Sequence, residues 1–173
     1  MNDALHGGAA ELPDDVAWRL SRVDGFLDLS MLARAQEELK AVPSDFASHP
    51  AVQRMRLRLL LDQQAWAGAR DLARSIRDAD PSTHDMWILL AYATRRSESV
   101  MAARAVLEEA ARKFPGIPVI RFNLACYACQ SGQLDEARRF LHQAFVLDKT
   151  FREVAAEDDD LRPLWSELES GIL

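Results

Sequence analysis

One spacing recurs along this chain: small or apolar residues return every 34 positions. Ala35, Ala69, Ala103 and Ala137 form one column, and Leu39, Ala73, Leu107 and Leu141 a second. Val42, Ile76, Ala110 and Ala144 make a third, and Leu32, Trp66, Val100 and Leu134 a fourth. The clearest copy of the repeating unit is residues 118–149, two amphipathic stretches broken at Ser131 and Gly132. Ile120, Leu124, Ala125 and Ala128 share one face of a 3.6-residue helix; Leu134, Ala137, Leu141, Ala144 and Leu147 share one face of the next. A helix pair returning at this period is a repeat array, in which each unit buries its apolar face only by stacking on its neighbours. The fold class is therefore all-α, an α-solenoid of about four antiparallel helix pairs.

Punctuation supports the division. Units fall at roughly 16–49, 50–83, 84–117 and 118–151, as one domain over 14–173. In the first, Val16, Leu20, Val23, Phe26 and Leu27 mark one helix face and Leu32 to Val42 its partner, ended by Pro43. Ala79-Asp80-Pro81 stops the second unit, and Phe114-Pro115-Gly116 the third. Asp80 and Ser82 offer side-chain oxygens to cap the helix that follows. Residues 1–13, with Gly7 and Gly8 and no helical period, read as a flexible lead-in. Beyond 151, Leu161, Leu164, Trp165 and Leu168 form a narrow apolar stripe with Asp160 as its cap and Pro163 in the first turn. A one-sided helix of this kind covers the core face that an array otherwise leaves exposed. The acidic run Glu157–Asp160 lacks the spaced ligands and glycine of a calcium loop and reads as the acidic start of that helix.

These columns resemble the tetratricopeptide repeat (TPR), with its W-x2-L-G-x2-Y…A-x3-F…P pattern, in the manner of a small bacterial TPR protein. Trp87, Leu90, Ala91 and Thr94 stand in the first-helix columns of the third unit, and Ala103, Leu107 and Pro115 in the second-helix columns. In the fourth unit Leu124, Ala125, Ala128, Ala137 and Leu141 do the same. The match is sharpest over 84–149. Arg121 departs from it in the tryptophan column, Lys149 in the proline column, and Arg22 and Arg56 in the leucine column.

The resemblance implies a binding module whose first helices line a concave groove. Carried over by register, the groove positions are Tyr92, Arg95 and Arg96 of the third unit and Phe122, Asn123, Cys126 and Gln130 of the fourth. Arg54 and Arg58 of the second unit join them. Arginines beside aromatics suit an acidic, partly apolar peptide or helical segment of a protein partner, in a scaffold or adaptor role. The chaperone-tail clamp of some family members is not expected, because Ile88, Leu89 and Val119 stand where polar clamp groups would be needed. Two alternatives stay open: a homo-oligomeric unit, a homodimer built on an apolar N-terminal edge at Trp18, and a small secretion-type chaperone.

Chemistry is not signalled. His6, His49, His84 and His142 are dispersed, and no phosphate-binding glycine pattern or nucleophile elbow occurs, so the chain reads as no enzyme, with no cofactor and no metal. Cys126 and Cys129 form C-x-x-C, but mid-helix, without the helix N-terminus that activates a redox thiol. They read as two small packed side chains. The net charge of −6, from 21 basic and 27 acidic residues, argues against nucleic acid as partner. No apolar run approaches the ~20 residues of a membrane span, and the start of the chain has no signal-peptide pattern. With two cysteines and no disulfide framework, a cytoplasmic location is expected.

Overall fold

The computed structural model describes residues 11–171, so the lead-in expected over 1–13 lies mostly outside the described residues. Those residues form helices and turns without a strand. The helices come in pairs: α1 (Asp14–Asp28) and α2 (Leu32–Lys40), then α3 (Pro50–Asp62) and α4 (Trp66–Ala79). α5 (His84–Ser97) and α6 (Val100–Lys113) follow, then α7 (Pro118–Gln130) and α8 (Leu134–Leu147). A short tail closes the chain: α9 (Phe151–Glu157), a 3-10 segment (Asp159–Leu164) and α10 (Trp165–Glu169). Internal packing divides the chain into two compact units, up to Ile76 and from Arg77, with the boundary inside α4.

Helix ends follow from local chemistry. Between α1 and α2, between α3 and α4, and between α7 and α8, the chain turns through one left-handed residue: Ser30 (φ 56°), Gln64 (φ 57°) and Gly132 (φ 73°). Each turn closes the same pair of hydrogen bonds, a Schellman motif that satisfies two orphan carbonyls of the preceding helix. Met31, Ala65 and Gln133 donate to Phe26, Leu60 and Ala128, and Ser30, Gln64 and Gly132 to Leu27, Leu61 and Cys129. The turn residue thus keeps the step of 34, and no loop insertion displaces the early units. Ser99 caps α6, its Oγ accepting from the Ala102 N–H at 3.1 Å. His49 Nδ1 accepts from the Ala51 N–H at 3.2 Å, with Pro50 in the first turn of α3. Asp80 closes a local turn instead, accepting from the Ser82 N–H and hydroxyl, and Thr83 begins α5 without a side-chain cap.

In the first unit, Val16, Leu20, Val23 and Leu27 of α1 pack with Ala35 and Leu39 of α2, Val42, and Val52 and Leu59 of α3. The arginines in the leucine column are held by polar partners beside that core. Arg22 pairs with Glu38 at 2.8 Å, and Arg56 donates to the Ala47 carbonyl at 3.1 Å. In the second unit Ala91, Ala103, Leu107, Leu124, Ala125, Ala137 and Leu141 are buried in one core with Ala155, Leu161 and Leu164 of the tail.

The tail differs from the single helix read from Leu161 to Leu168. Pro163 has no N–H for an α-helical bond back to Asp159 and its ring crowds that carbonyl, so the chain runs as 3-10 through Leu164 before α10 begins. Asp158, not Asp160, is the cap, accepting from the Asp160 N–H at 2.9 Å.

Gly132 requires its glycine for φ alone, since a Cβ there would meet nothing within 4 Å. Gly132→Ala is expected to lower unfolding stability by about 1 kcal/mol. Gly116→Ala, where φ is not left-handed and the space is also open, should leave stability unchanged within about 0.5 kcal/mol. Urea titration of both variants checks this, and equal losses would remove the backbone explanation.

Candidate binding face on helices α5 and α7

The expected site residues of the second unit come from the first helices of the last two pairs. On α5, Tyr92 is 43% exposed, Arg96 is exposed and Arg95 is half-buried. On α7, Gln130 is exposed, Asn123 half-buried, and Phe122 and Cys126 are buried. Arg54 and Arg58 belong to the first unit. Arg54 is exposed on α3, whereas Arg58 donates to Asp24 and Asp28 of α1, each at 2.5 Å.

What buries Phe122 and Cys126 is the tail. The rings of Phe151 and Phe122 pack at 5.1 Å between centroids. Asp160 receives a two-pronged contact from Arg95, with Nη1 2.7 Å from Oδ2 and Nη2 3.1 Å from Oδ1. Gln130 Nε2 donates to the same carboxylate at 2.5 Å. The Arg95 guanidinium also lies 5.4 Å from the centre of the Tyr127 ring, a cation–π position. Beside it the Cys126 thiol donates to Asp158 Oδ2 at 3.7 Å, and the Trp165 indole N–H donates to the Asp158 carbonyl at 3.2 Å. A second clasp joins Arg138 of α8 to both oxygens of Glu167, at 2.8 and 2.7 Å.

Arg95, Cys126 and Gln130 therefore do converge, and they converge on carboxylates of their own chain. Tyr127, Asp158 and Asp160 complete the cluster, and sequence reasoning does not single them out as site residues. A signal for them exists. Every residue of α7 from Leu124 to Cys129 is buried, and a helix apolar all round must be covered on a further side.

Electrostatics makes the cluster a hydrogen-bond network rather than a reactive centre. Burial, reinforced by Asp158 and Asp160, pushes the Cys126 thiol well above its ordinary value. Burial also raises the Tyr127 phenol to about 12, although Arg95 opposes it. Cys126, Asp158 and Asp160 bring one ligand atom each within 4.8 Å of one another. Both Asp160 oxygens are engaged by Arg95, so the set does not suit an ion.

The structure defines the class: an all-α array of helix pairs with the tetratricopeptide fold. It is similar to a crystal structure of MamA, at 15% identity over 82% of each chain and a TM-score of 0.68. MamA from Desulfovibrio magneticus RS-1, residues 41 to the end, superposes with a TM-score of 0.69 at 15% identity, covering 79% of this chain and 77% of that one. TTC0263, a thermophilic TPR protein of Thermus thermophilus, covers 88% of this chain and 82% of its own at 16% identity, with a TM-score of 0.67. No protein-family model and no curated protein sequence matches the chain. No described helix is long and apolar enough to cross a membrane.

The buried thiol has a pH consequence. A proton held more tightly in the folded state adds stability that is complete below the unfolded thiol value of 9.0 and declines as pH rises above it. Urea titrations from pH 8 to 10.5 should show stability falling, with a shallower fall in Cys126→Ala. Identical slopes in the two proteins would show that Cys126 does not contribute.

Proposed function

We propose that this protein is a non-catalytic interaction module, a scaffold or adaptor that holds a segment of a protein partner on the face of its first helices. The observation that carries the reading is the chemistry of the α5/α7 face. Arg95, held over the Tyr127 ring, and Gln130 engage an acidic, leucine-flanked segment there, the ligand class that arginines beside aromatics favour. The tetratricopeptide fold supports the same reading, since stacked helix pairs present long faces to partners. Tyr92 and Arg96 of α5, which are exposed, and Asn123 of α7, which is half-buried, are the further residues that this reading assigns to the face.

The test is affinity capture from lysate of the source organism with wild type and Tyr92→Ala/Arg96→Glu. Circular dichroism first establishes that the variant is folded. A partner bound at least tenfold less by the variant is the expected result, in line with an anchor contact of about 1.4 kcal/mol or more. Equal recovery by both proteins would move binding to another surface.

A second reading rests on the first unit. Trp18 is 61% exposed, Leu29 70% and Met31 38%, apolar surface of the kind that pairs two copies. Light scattering after size exclusion decides it. A dimer that Trp18→Glu converts to monomer would favour self-association, and a wild-type monomer at 100 times the capture concentration, on the order of 0.1 mM for weak pairs, would exclude it.

A further inference from the structure

The tail is docked onto the array but has little structure of its own. Its two α-helices span seven and five residues, with six residues of 3-10 helix between them. Such short pieces are not stable in isolation, so docking supplies nearly all of their order. The connection to α8 runs over 148–150 and begins with an extended residue, Asp148 (φ −154°, ψ 114°), whose side chain accepts from the Thr150 N–H and hydroxyl at 2.9 and 2.7 Å. One residue of extended chain and a local turn thus separate the long helices from the docked piece.

Docking is partly apolar, through Ala155, Leu161 and Leu164, each without exposed area. It is also partly ionic, with the Arg95 and Asp160 side chains 26% and 25% exposed. A structural cap needs only the apolar part. An ion pair this exposed adds little adhesion, so its geometry serves chiefly to set where the tail lies on α5 and α7. Here the ionic part presents what a binding face for an acidic segment presents, and its ligand is intramolecular.

We propose that the C-terminal segment Phe151–Glu169 is a displaceable latch. It acts as an internal acidic ligand that closes the α5/α7 face and yields it to a partner segment of like chemistry, two carboxylates one residue apart followed by leucines. This rests on the reading of that face as a partner site and adds its ligand chemistry and regulation. A closed latch lowers the apparent affinity for the partner by the fraction of molecules that are open. Opening also uncovers Cys126, which is 3% exposed beneath the tail and so reports on it.

The experiment uses a fluorescent peptide of residues 150–169 in trans, with wild type, Asp158→Asn/Asp160→Asn, and that pair combined with Arg95→Glu. Anisotropy should show at least tenfold tighter binding to Asp158→Asn/Asp160→Asn than to wild type, and loss of that binding when Arg95→Glu is added. Alkylation of Cys126, read by mass spectrometry, should be at least tenfold faster in Asp158→Asn/Asp160→Asn and slow again with saturating peptide. Equal peptide binding and equal Cys126 rates in wild type and the weakened latch would overturn the proposal, leaving the tail a fixed cap.

Hydrogen exchange on wild type covers the case of a variant that does not fold. Amides of 151–164 exchanging at least tenfold faster than the cores of α7 and α8 support the latch, and equal protection overturns it. A wild-type dimer formed by exchanged tails would overturn the choice of occupant in favour of a second copy. Because the peptide is the chain's own, a negative result here beside partner capture through Tyr92 and Arg96 removes the latch alone. A positive result without any captured partner removes the functional reading alone.

Discussion

Burial of small residues at the 34-residue step is the constraint on which the rest depends. Ala35, Ala69, Ala103 and Ala137 are all at zero exposure, one in the second helix of each pair. A methyl group there lets the axes come near the short end of the usual 8–10 Å packing distance, where a leucine would hold them apart. Overpacking such a position costs typically 1–3 kcal/mol because neighbouring rotamers and backbone must shift. Large apolar residues are buried in the same helices: Leu107 and Leu141 in the second helices of the last two pairs, Leu90 and Leu124 in the first.

The tail obeys a different balance. Burying Leu161 and Leu164 fully contributes about 2 kcal/mol each, while an ion pair a quarter exposed, like Arg95 with Asp160, contributes about 1 kcal/mol at most once solvent screening is counted. The leucines therefore hold the tail down, and the charges choose where it lies. The Arg138–Glu167 clasp on α8 fixes the far end in the same way, and the arginine chiefly accounts for the lowered pKa of Glu167. Like Asp160 at the near end, it adds geometry more than adhesion.

Periodicity made the helix pairs legible from the sequence, because the 34-residue step is a statement about packing that each unit repeats. Even the turn residues Ser30, Gln64 and Gly132 obey it, although only Gly132 shows the composition of a left-handed turn. The tail was less legible because it does not repeat. Leu161 and Leu164 were readable as a covering stripe, but Pro163 changed the kind of helix. The role of Asp160 depended on Arg95, 65 positions away. A contact of that separation leaves no trace in local spacing. The groove positions carried the same difficulty: register identified Arg95, Cys126 and Gln130 as neighbours, yet their partner lay outside the repeat.

Cys126 shows how these levels meet. Its position in the first-helix face comes from the repeat, its burial comes from the tail, and its raised proton affinity comes from both, through lost water and the two nearby carboxylates. A thiol in that setting is inert, which suits a packed side chain and not a redox centre. The α5/α7 face thus holds a guanidinium over a phenol ring, an amide beside it, and one carboxylate, Asp160, that satisfies both. In the proposed exchange a competing acidic segment would have to offer one carboxylate to Arg95 and Gln130 together and a second to the Cys126 thiol, and to bury apolar side chains beside them. A segment offering charge alone would forgo the leucine contribution of about 4 kcal/mol and could not compete with the chain's own tail. Selectivity at this face would therefore lie in the combination of acid pair and leucines, not in charge.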